Sequence, residues 1–581
     1  MHPRNALSAI LLCLTLSACG GGENRLVSDE VPVTAPRVSV HRDGDDLLSA
    51  GLGLAGLRKT LPPPVSDAHA PTAAELRRRA IHANWRGIAD LVGEKGLGDL
   101  SSALPSVPGR EWSGFANLPG RQHPHRVLVQ VPDNFNAPQR CLVVTASSGS
   151  RGIYGAIALA GAWGLPKGCA VAYTDKGAGT GFFDVDGREG VALDGTRSDG
   201  GVVEFRPAWP EDAAIPPHRI ALKHAHSADN PEADWGRHVL QAAHFGLQVL
   251  NDAFPAQAPF TRDNTRIIAV GLSNAGGAVL RAAELDGQGM FDAVVAVAPN
   301  ILAPSRGRAL FDYATEAALF SPCAMPAIAN AVTMMPPAAR DAVAKQRCAS
   351  LQQAGLLQST NAAAQAQEAL DHLLAQGWSR PALALYQQGV VFDLWRAVAV
   401  TYAHSYARVG VHAPLCGFGF AMLDAEGRAR ASTVAERALW GADSSGIAPT
   451  VGIGMVDTLA AGPDPAFPGL MCLRSLWQGA GLNAKAVQLG IAEIRGTARP
   501  LSAHVHVVHG VDDGLIPIDF TSRAYVQDAR DLRHHIEFTE VPDAQHFDAF
   551  VSLPMMTRYQ PLLPHAYKAL DEALLAVLAK H

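Results

Sequence analysis

The stretch TRIIAVGLSNAGGAVLRAAE, Thr265 to Glu284, constrains this chain more than any other. Ile267, Ile268, Ala269 and Val270 form a short continuous apolar run, the pattern of a strand buried on both faces of a parallel sheet. From Asn274 onward, Ala278, Leu280, Ala282 and Leu285 fall at helical spacing among good helix formers. Ser273 sits between the two runs, with Gly271, Ala275, Gly276 and Gly277 around it. A chain that turns sharply from strand to helix needs such small residues, because the helix crosses close over the strand. The segment predicts a strand–serine–helix turn. Its pattern is G-x-S-x-A rather than G-x-S-x-G, and read alone it also fits a plain turn or a helix cap.

Strands alternate with helices on both sides of this segment. VLVQVP (Val127 to Pro132), CLVVTASSGSRGIYGA (Cys141 to Ala156) and GCAVAYTDKGAGTG (Gly168 to Gly181) each carry a strand, and the last two run into loops rich in small residues. DWGRHVLQAAHFGLQVLN, Asp234 to Asn251, reads as an amphipathic helix, and DAVVAVAP, Asp292 to Pro299, as the next strand. This alternation predicts βαβ units and a parallel sheet. The spacing of Gly177, Gly179 and Gly181 does not match a dinucleotide fingerprint and reads as a loop. The strand pattern stops from about Leu302 to Gly479, where Asn361 to Trp378 and Phe392 to Val409 look helical. It resumes at SAHVHVVHGVDDGLIPID (Ser502 to Asp519) and HIEFTEVP (His535 to Pro542), and a final amphipathic helix starts near Tyr567.

Two further residues follow later strands. HGVDDGLIP matches the pattern H-G-x-x-D-x-x-I-P, which points to Asp513, with Asp512 as the alternative. His546 lies in VPDAQHFDAF, on a loop after the last predicted strand. An acidic turn and a loop histidine are commonplace singly. Together Ser273, Asp513 and His546 stand in the chain order of a Ser–Asp–His triad at three strand ends, as in the α/β-hydrolase fold. Ser273 and Asp513 are 240 residues apart, far more than the ~60–80 that two crossover units need, and the excess matches the helical block. The expected fold is therefore an α/β-hydrolase with a large, mostly helical cap insertion. In such a site His546 takes the Ser273 proton and Asp513 holds the imidazole in the right tautomer. Oxyanion donors are expected from the backbone N–H of Asn274 and from the loop SSGSRG, at Ser148 and Gly149.

The expected division is a signal peptide over 1–18, a tether and N-terminal extension over 19–60, core over 61–301, cap over 302–479 and core again over 480–581. The first 22 residues, MHPRNALSAILLCLTLSACGGG, read as an export signal. Leu16 to Cys19 also resembles a lipobox, which would make Cys19 a lipidation site. Gly20 to Val40 is polar and Pro-containing and reads as a flexible tether. Setting aside Cys13 in the signal and Cys19, the lipid candidate, leaves six cysteines, an even count that favours disulfides in an exported protein and matches no zinc spacing. Cys141 and Cys169 each begin a predicted strand, and those strands are neighbours in this fold, so the two are expected to pair. A net charge of −6, spread along the chain, leaves no footprint for nucleic acid.

Several segments resemble the D-(-)-3-hydroxybutyrate oligomer hydrolase family. They are DGDDLLSAGLGLAGL (Asp43 to Leu57), TASSGSRGIYGAI (Thr145 to Ile157), YTDKGAGTGF (Tyr173 to Phe182), GLSNAGGAVLRAAE (Gly271 to Glu284) and VVHGVDDGLIP (Val507 to Pro517). The resemblance implies an exported serine esterase that cleaves the oligomers released by poly(3-hydroxybutyrate) depolymerases into monomers, with Ser273 as nucleophile. Ala275 and the lipobox depart from the family pattern, and the lipobox leaves two expected locations open: free secretion, or a periplasmic or outer-membrane lipoprotein. No cofactor or metal is implied, and the expected partner is a small oligoester bound in an apolar cleft lined by Trp, Tyr and Leu of the cap. Two other readings fit the same residues: a tannase- or feruloyl-esterase-like carboxylesterase, and a non-catalytic hydrolase-fold surface lipoprotein. The Cys that tannases place beside the nucleophile is absent, since Leu272 and Asn274 flank Ser273.

Overall fold

Alternate residues of each central strand pack on opposite sides of one sheet. Val143, Ile268, Val270 and Val295 join one buried cluster, while Leu142, Val144, Ala269 and Val294 join another. A strand buried on both faces has no polar side, which is why these segments read as continuous apolar runs. The structure is a computed structural model that describes residues 31–579, apart from Lys95, Asn330, Thr333, Met334, Phe392, Ser444 and Ala503. The expected signal segment 1–18 and Cys19 lie outside the described residues.

The sheet has nine strands: β1 (Val33–His41), β2 (Gly109–Ala116), β3 (His125–Pro132), β4 (Cys141–Ala146), β5 (Ala170–Thr174), β6 (Arg266–Leu272), β7 (Ala293–Val297), β8 (His504–Gly510) and β9 (Glu537–Val541). Their spatial order is β1-β2-β3-β5-β4-β6-β7-β8-β9. β1, β2, β3 and β5 pair antiparallel in turn, and from β5 through β4 to β9 all pairs are parallel. Helices Pro231–Ala253, Asn274–Leu285 and Ser522–Asp531 cover one face, and Ala73–Arg86 and Leu563–Leu578 the other. This is the α/β-hydrolase fold. Parallel strands must be joined by crossovers, so the loops leaving their C-terminal ends gather along one edge of the sheet, where ligands bind in such folds.

The cap contributes helices Leu310–Ala324, Pro337–Gln353, Ala362–Ala375, Arg380–Val391, Leu394–Tyr406 and Phe467–Gln478. It also holds a three-stranded antiparallel sheet, Phe418–Leu423 with Ala429–Arg430 and Ile453–Asp457, where the sequence showed no strand pattern. In FGFAML the bulky Phe418, Phe420 and Met422 alternate with Gly419 and Ala421, so the period-two signal lacks the polar residues that make it visible. Phe182, Val191, Ile220 and Leu222, from a small four-stranded sheet that follows β5, pack into the same apolar cluster as the cap helices. The cap's core therefore extends beyond the contiguous 302–479 block.

The tether expected over Gly20 to Val40 is corrected in its described part. Val33–His41 forms β1, paired antiparallel with β2, with an irregularity between Thr34 and Arg37. Val38 and Val40 are 59% and 58% exposed, so this edge strand buries almost nothing and leaves no apolar pattern. Pro36 is tolerated there because an edge strand does not need every N–H for pairing. Asp43 to Leu57 is also well anchored. The Asp46 carboxylate accepts the Leu48 and Ser49 N–H groups at 2.7 Å each, and Leu47, Leu48 and Leu57 are fully buried.

All six cysteines among the described residues are paired, as Cys141–Cys169, Cys323–Cys348 and Cys416–Cys472. Leu142 lies opposite Ala170 in the β4–β5 register, which sets Cys141 beside Cys169 with Cα atoms 4.7 Å apart. Non-reducing peptide mapping of the purified protein should recover these three pairs. Replacing Cys141 and Cys169 by serine should lower stability by about 3–4 kcal/mol in the chain-entropy model and depress the thermal midpoint by several degrees. Recovery of either residue joined to a cap cysteine would contradict the pairing.

Candidate active site

Ser273 occupies the turn between β6 and the helix Asn274–Leu285 with φ 62° and ψ −122°, a conformation that costs a non-glycine residue about 1–3 kcal/mol. The surroundings hold it there. Its N–H donates to the Val297 carbonyl at 2.8 Å, and its own carbonyl accepts from Gly277 and Asn300 N–H groups at 3.1 and 3.0 Å. Two glycines make the close crossing feasible. A Cβ on Gly271 would lie 2.2 Å from the Ala275 carbonyl oxygen, and one on Gly277 would lie 1.9 Å from that of Asn300. Ala275, the departure from G-x-S-x-G, is accommodated with its methyl fully buried.

The loops after β8 and β9 bring Asp513 and His546 to this turn. His546 Nε2 is 3.0 Å from Ser273 Oγ, and His546 Nδ1 is 2.7 Å from Asp513 Oδ2. The carboxylate can only accept at Nδ1, so Nδ1 carries the proton and Nε2 is left to accept from the serine hydroxyl. Asp513 Oδ1 accepts the Leu515 and Ile516 N–H groups at 2.8 and 2.7 Å, and His509 Nε2 approaches Oδ2 at 3.2 Å. Burial would raise its pKa, but the His546 and His509 imidazoles outweigh that and hold it well below the usual carboxylate range. Asp512 points elsewhere and bonds Arg558 Nη2 at 3.1 Å. The structure thus brings together Ser273, His546 and Asp513, and leaves out Asp512.

A family model described as 3HB-oligomer hydrolase (3HBOH) matches residues 15–580. The chain belongs to that family. It is similar to the D-(-)-3-hydroxybutyrate oligomer hydrolase of Paracidovorax citrulli, with 36% identity over 97% of this chain and 90% of the relative. The protein of the same name from Cupriavidus pinatubonensis is also 36% identical, over 98% and 90%. Among solved structures, tannin acyl hydrolase from Aspergillus niger aligns with 95% of this chain and 84% of its own, at 11% identity and a TM-score of 0.38.

Of the family-like segments, TASSGSRGIYGAI and YTDKGAGTGF meet behind Ser273. Lys176, fully buried, donates to Ser147 Oγ at 3.1 Å and to the Gly149 carbonyl. His224 Nδ1 meets Ser150 Oγ at 2.6 Å. The loop SSGSRG is thereby pinned at three points. Of the two positions expected to supply an oxyanion donor, the Ser148 N–H faces the Gly155 carbonyl at 3.4 Å. The Gly149 N–H, with φ +54°, has no acceptor among the described residues. Asn274 opens its helix, so its N–H has no partner one turn back.

The cap completes the site. Asn274 Nδ2 donates to the Tyr402 hydroxyl at 2.7 Å, and Asn274 Oδ1 accepts from Asn300 at 3.0 Å. Tyr406 donates to Glu232 at 2.6 Å, and Asn300 also approaches Glu232. Burial pushes the Glu232 carboxyl up to about 7 and the Lys176 ammonium down to about 7, and it holds the His224 imidazole neutral, at about 3. Lys176, His224, Glu232, Asn300 and Tyr402 were not singled out in the sequence. Only Lys176 carried a signal, its place inside a family-like segment.

A cavity of about 280 Å³ lies against Ser273, Asn274, Gly149 and His546. Leu310, Leu394, Val398 and Tyr402 of the cap line it, opposite Leu515 and Ile516. Tyr and Leu of the cap are present as expected, while no tryptophan lines it among the described residues. Asp513→Asn should cut ester turnover by ~10³-fold or more, because the amide favours the wrong imidazole tautomer. Asp512→Asn should cost less than about tenfold. The two variants compared by kcat/KM on one ester test this, and the reverse ranking would assign the acid to Asp512.

Proposed function

We propose that this protein is a serine esterase that hydrolyses D-(-)-3-hydroxybutyrate oligomers to 3-hydroxybutyrate monomers, acting after a poly(3-hydroxybutyrate) depolymerase. The observation that carries the reading is the contact of Ser273 Oγ with His546 Nε2, 3.0 Å apart and backed by Asp513, in a chain of the 3HB-oligomer hydrolase family. The named relatives, at 36% identity over nearly the whole chain, support the substrate class.

The chemistry follows from the geometry. Ser273 Oγ attacks the ester carbonyl while its proton passes to His546 Nε2. Asp513 orients the imidazole and stabilises the imidazolium. The oxyanion is met by the Asn274 N–H, aided by the positive end of its helix, and by the Gly149 N–H from the pinned loop. Collapse breaks the ester bond, and His546 returns its proton to the departing 3-hydroxyl of the next unit. Water, deprotonated by His546, then attacks the acyl carbonyl, the bond to Ser273 Oγ breaks as His546 returns the proton to that oxygen, and the acyl half leaves with a free carboxylate. The apolar wall suits the methyl-bearing ester backbone, and every step is carried by side chains, backbone N–H groups and water.

Purified protein incubated with the D-(-)-3-hydroxybutyrate dimer and trimer should release monomer, and a fluorophosphonate probe should label Ser273. Ser273→Ala should lose ~10³-fold or more of the turnover while remaining folded. Near-normal turnover in the folded variant would move the nucleophile elsewhere.

The same reading includes export, either as a secreted protein or as an outer-membrane lipoprotein anchored through Cys19. Three disulfides support an oxidising compartment. Metabolic labelling with a fatty acid should mark the anchored form and be lost in Cys19→Ala. An unlabelled wild-type protein recovered from the medium would point to free secretion.

A further inference from the structure

Arg151 is the one permanently charged side chain in the cavity wall among the described residues. It sits in the loop SSGSRG, two residues from Gly149, on the wall formed with Gly87, Ile88 and Ser445. Its guanidinium is anchored rather than neutralised. Nη2 donates to the Gly87 carbonyl at 2.9 Å, and Nη1 is enclosed with no hydrogen-bond partner. The negative charge of Asp443 favours the protonated guanidinium without offsetting the effect of burial. Burial lowers it only to about 10, so it remains charged at neutral pH. A guanidinium partly shielded from water costs free energy unless an anion offsets it, and removing such a partner usually costs more than a surface pair would suggest.

The oligoester named under the proposed function carries one charge, its terminal carboxylate. In a dimer that carboxylate belongs to the leaving unit, a few bonds from the scissile carbonyl. We propose that Arg151 is a specificity-determining residue that recognises this terminal carboxylate and thereby favours short free-acid oligomers over neutral esters. The assignment rests on the oligomer-hydrolase reading of the site. Arginine suits it, because its planar fork matches a carboxylate and the Gly87 anchor limits the entropy lost on binding. No other permanently charged side chain lines the cavity among the described residues to compete for that charge.

The test compares kcat/KM for the D-(-)-3-hydroxybutyrate dimer as the free acid and as its methyl ester, in wild type, Arg151→Gln and Arg151→Lys. Wild type should prefer the free acid. That preference should fall by about 30-fold or more in Arg151→Gln, with partial retention in Arg151→Lys. The ratio is read within each variant, so a general loss of activity does not imitate the result. An unchanged ratio in Arg151→Gln would overturn the assignment. An independent readout needs no variant: 3-hydroxybutyrate anion should inhibit hydrolysis of p-nitrophenyl butyrate by wild type at least tenfold more strongly than methyl 3-hydroxybutyrate, and equal inhibition would also overturn it. Wild type that cleaves p-nitrophenyl butyrate but neither form of the dimer would overturn the oligomer reading itself, a result distinct from an unchanged ratio.

Discussion

The close crossing of the helix Asn274–Leu285 over the end of β6 is the constraint on which the site depends. It forces Ser273 into positive φ, and three backbone hydrogen bonds, one made by its N–H and two accepted by its carbonyl, keep it there. The same turn starts a helix at Asn274, so an unpaired N–H and the positive helix end lie next to the serine oxygen. The strain is local, and its cost is spread over a sheet whose central strands are buried on both faces. A looser crossing, with any side chain at Gly271 or Gly277, would tilt the helix and carry Asn274 away with it.

The cap is fastened to this turn as well as covering it. Tyr402, on a cap helix, bonds the side chain of the residue that follows Ser273, while Tyr406 on the same helix bonds Glu232 at the start of a core helix. These contacts are made without solvent, where a hydrogen bond is stronger and an unpaired polar group is expensive. The cap position is therefore coupled to the orientation of the Asn274 N–H. Lys176 and His224 do the corresponding work on the opposite wall by fixing the loop that carries Gly149. The rigidity of both walls matters because donors that need not reorganise give the largest gain at a developing oxyanion.

The sequence made some of this legible. β4 to β7 were visible because apolar runs of four to eight residues between turn signals leave few alternatives. Ser273, Asp513 and His546 were visible through chain order and their places after strands. Between neighbouring carboxylates the pattern favoured Asp513, and the hydrogen bonds from Leu515, Ile516 and His546 give the reason: its side chain turns into the loop, while Asp512 turns out toward Arg558. β1 was not legible, since an exposed edge strand has no apolar side and carries Pro36. Nor was the small cap sheet, whose alternation of Phe with Gly and Ala resembles a plain apolar run.

By itself, then, the sequence determined the fold class, the turn at Ser273 and the neighbourhood of Cys141 and Cys169, because each follows from local periodicity or from the adjacency of consecutive parallel strands. Only the tertiary structure decided which buried polar groups stand behind the site, that residues of the segment from Phe182 to Leu222 pack with the cap, and that Arg151 lines the cavity with its Nη1 unbonded. Many of those features join residues far apart in the chain, as in Asn274 with Tyr402, 128 positions, or His224 with Ser150, 74 positions. Pairings at such separations leave no period in the chain. They arise only when the sheet and the cap have closed on each other and most buried donors have found an acceptor.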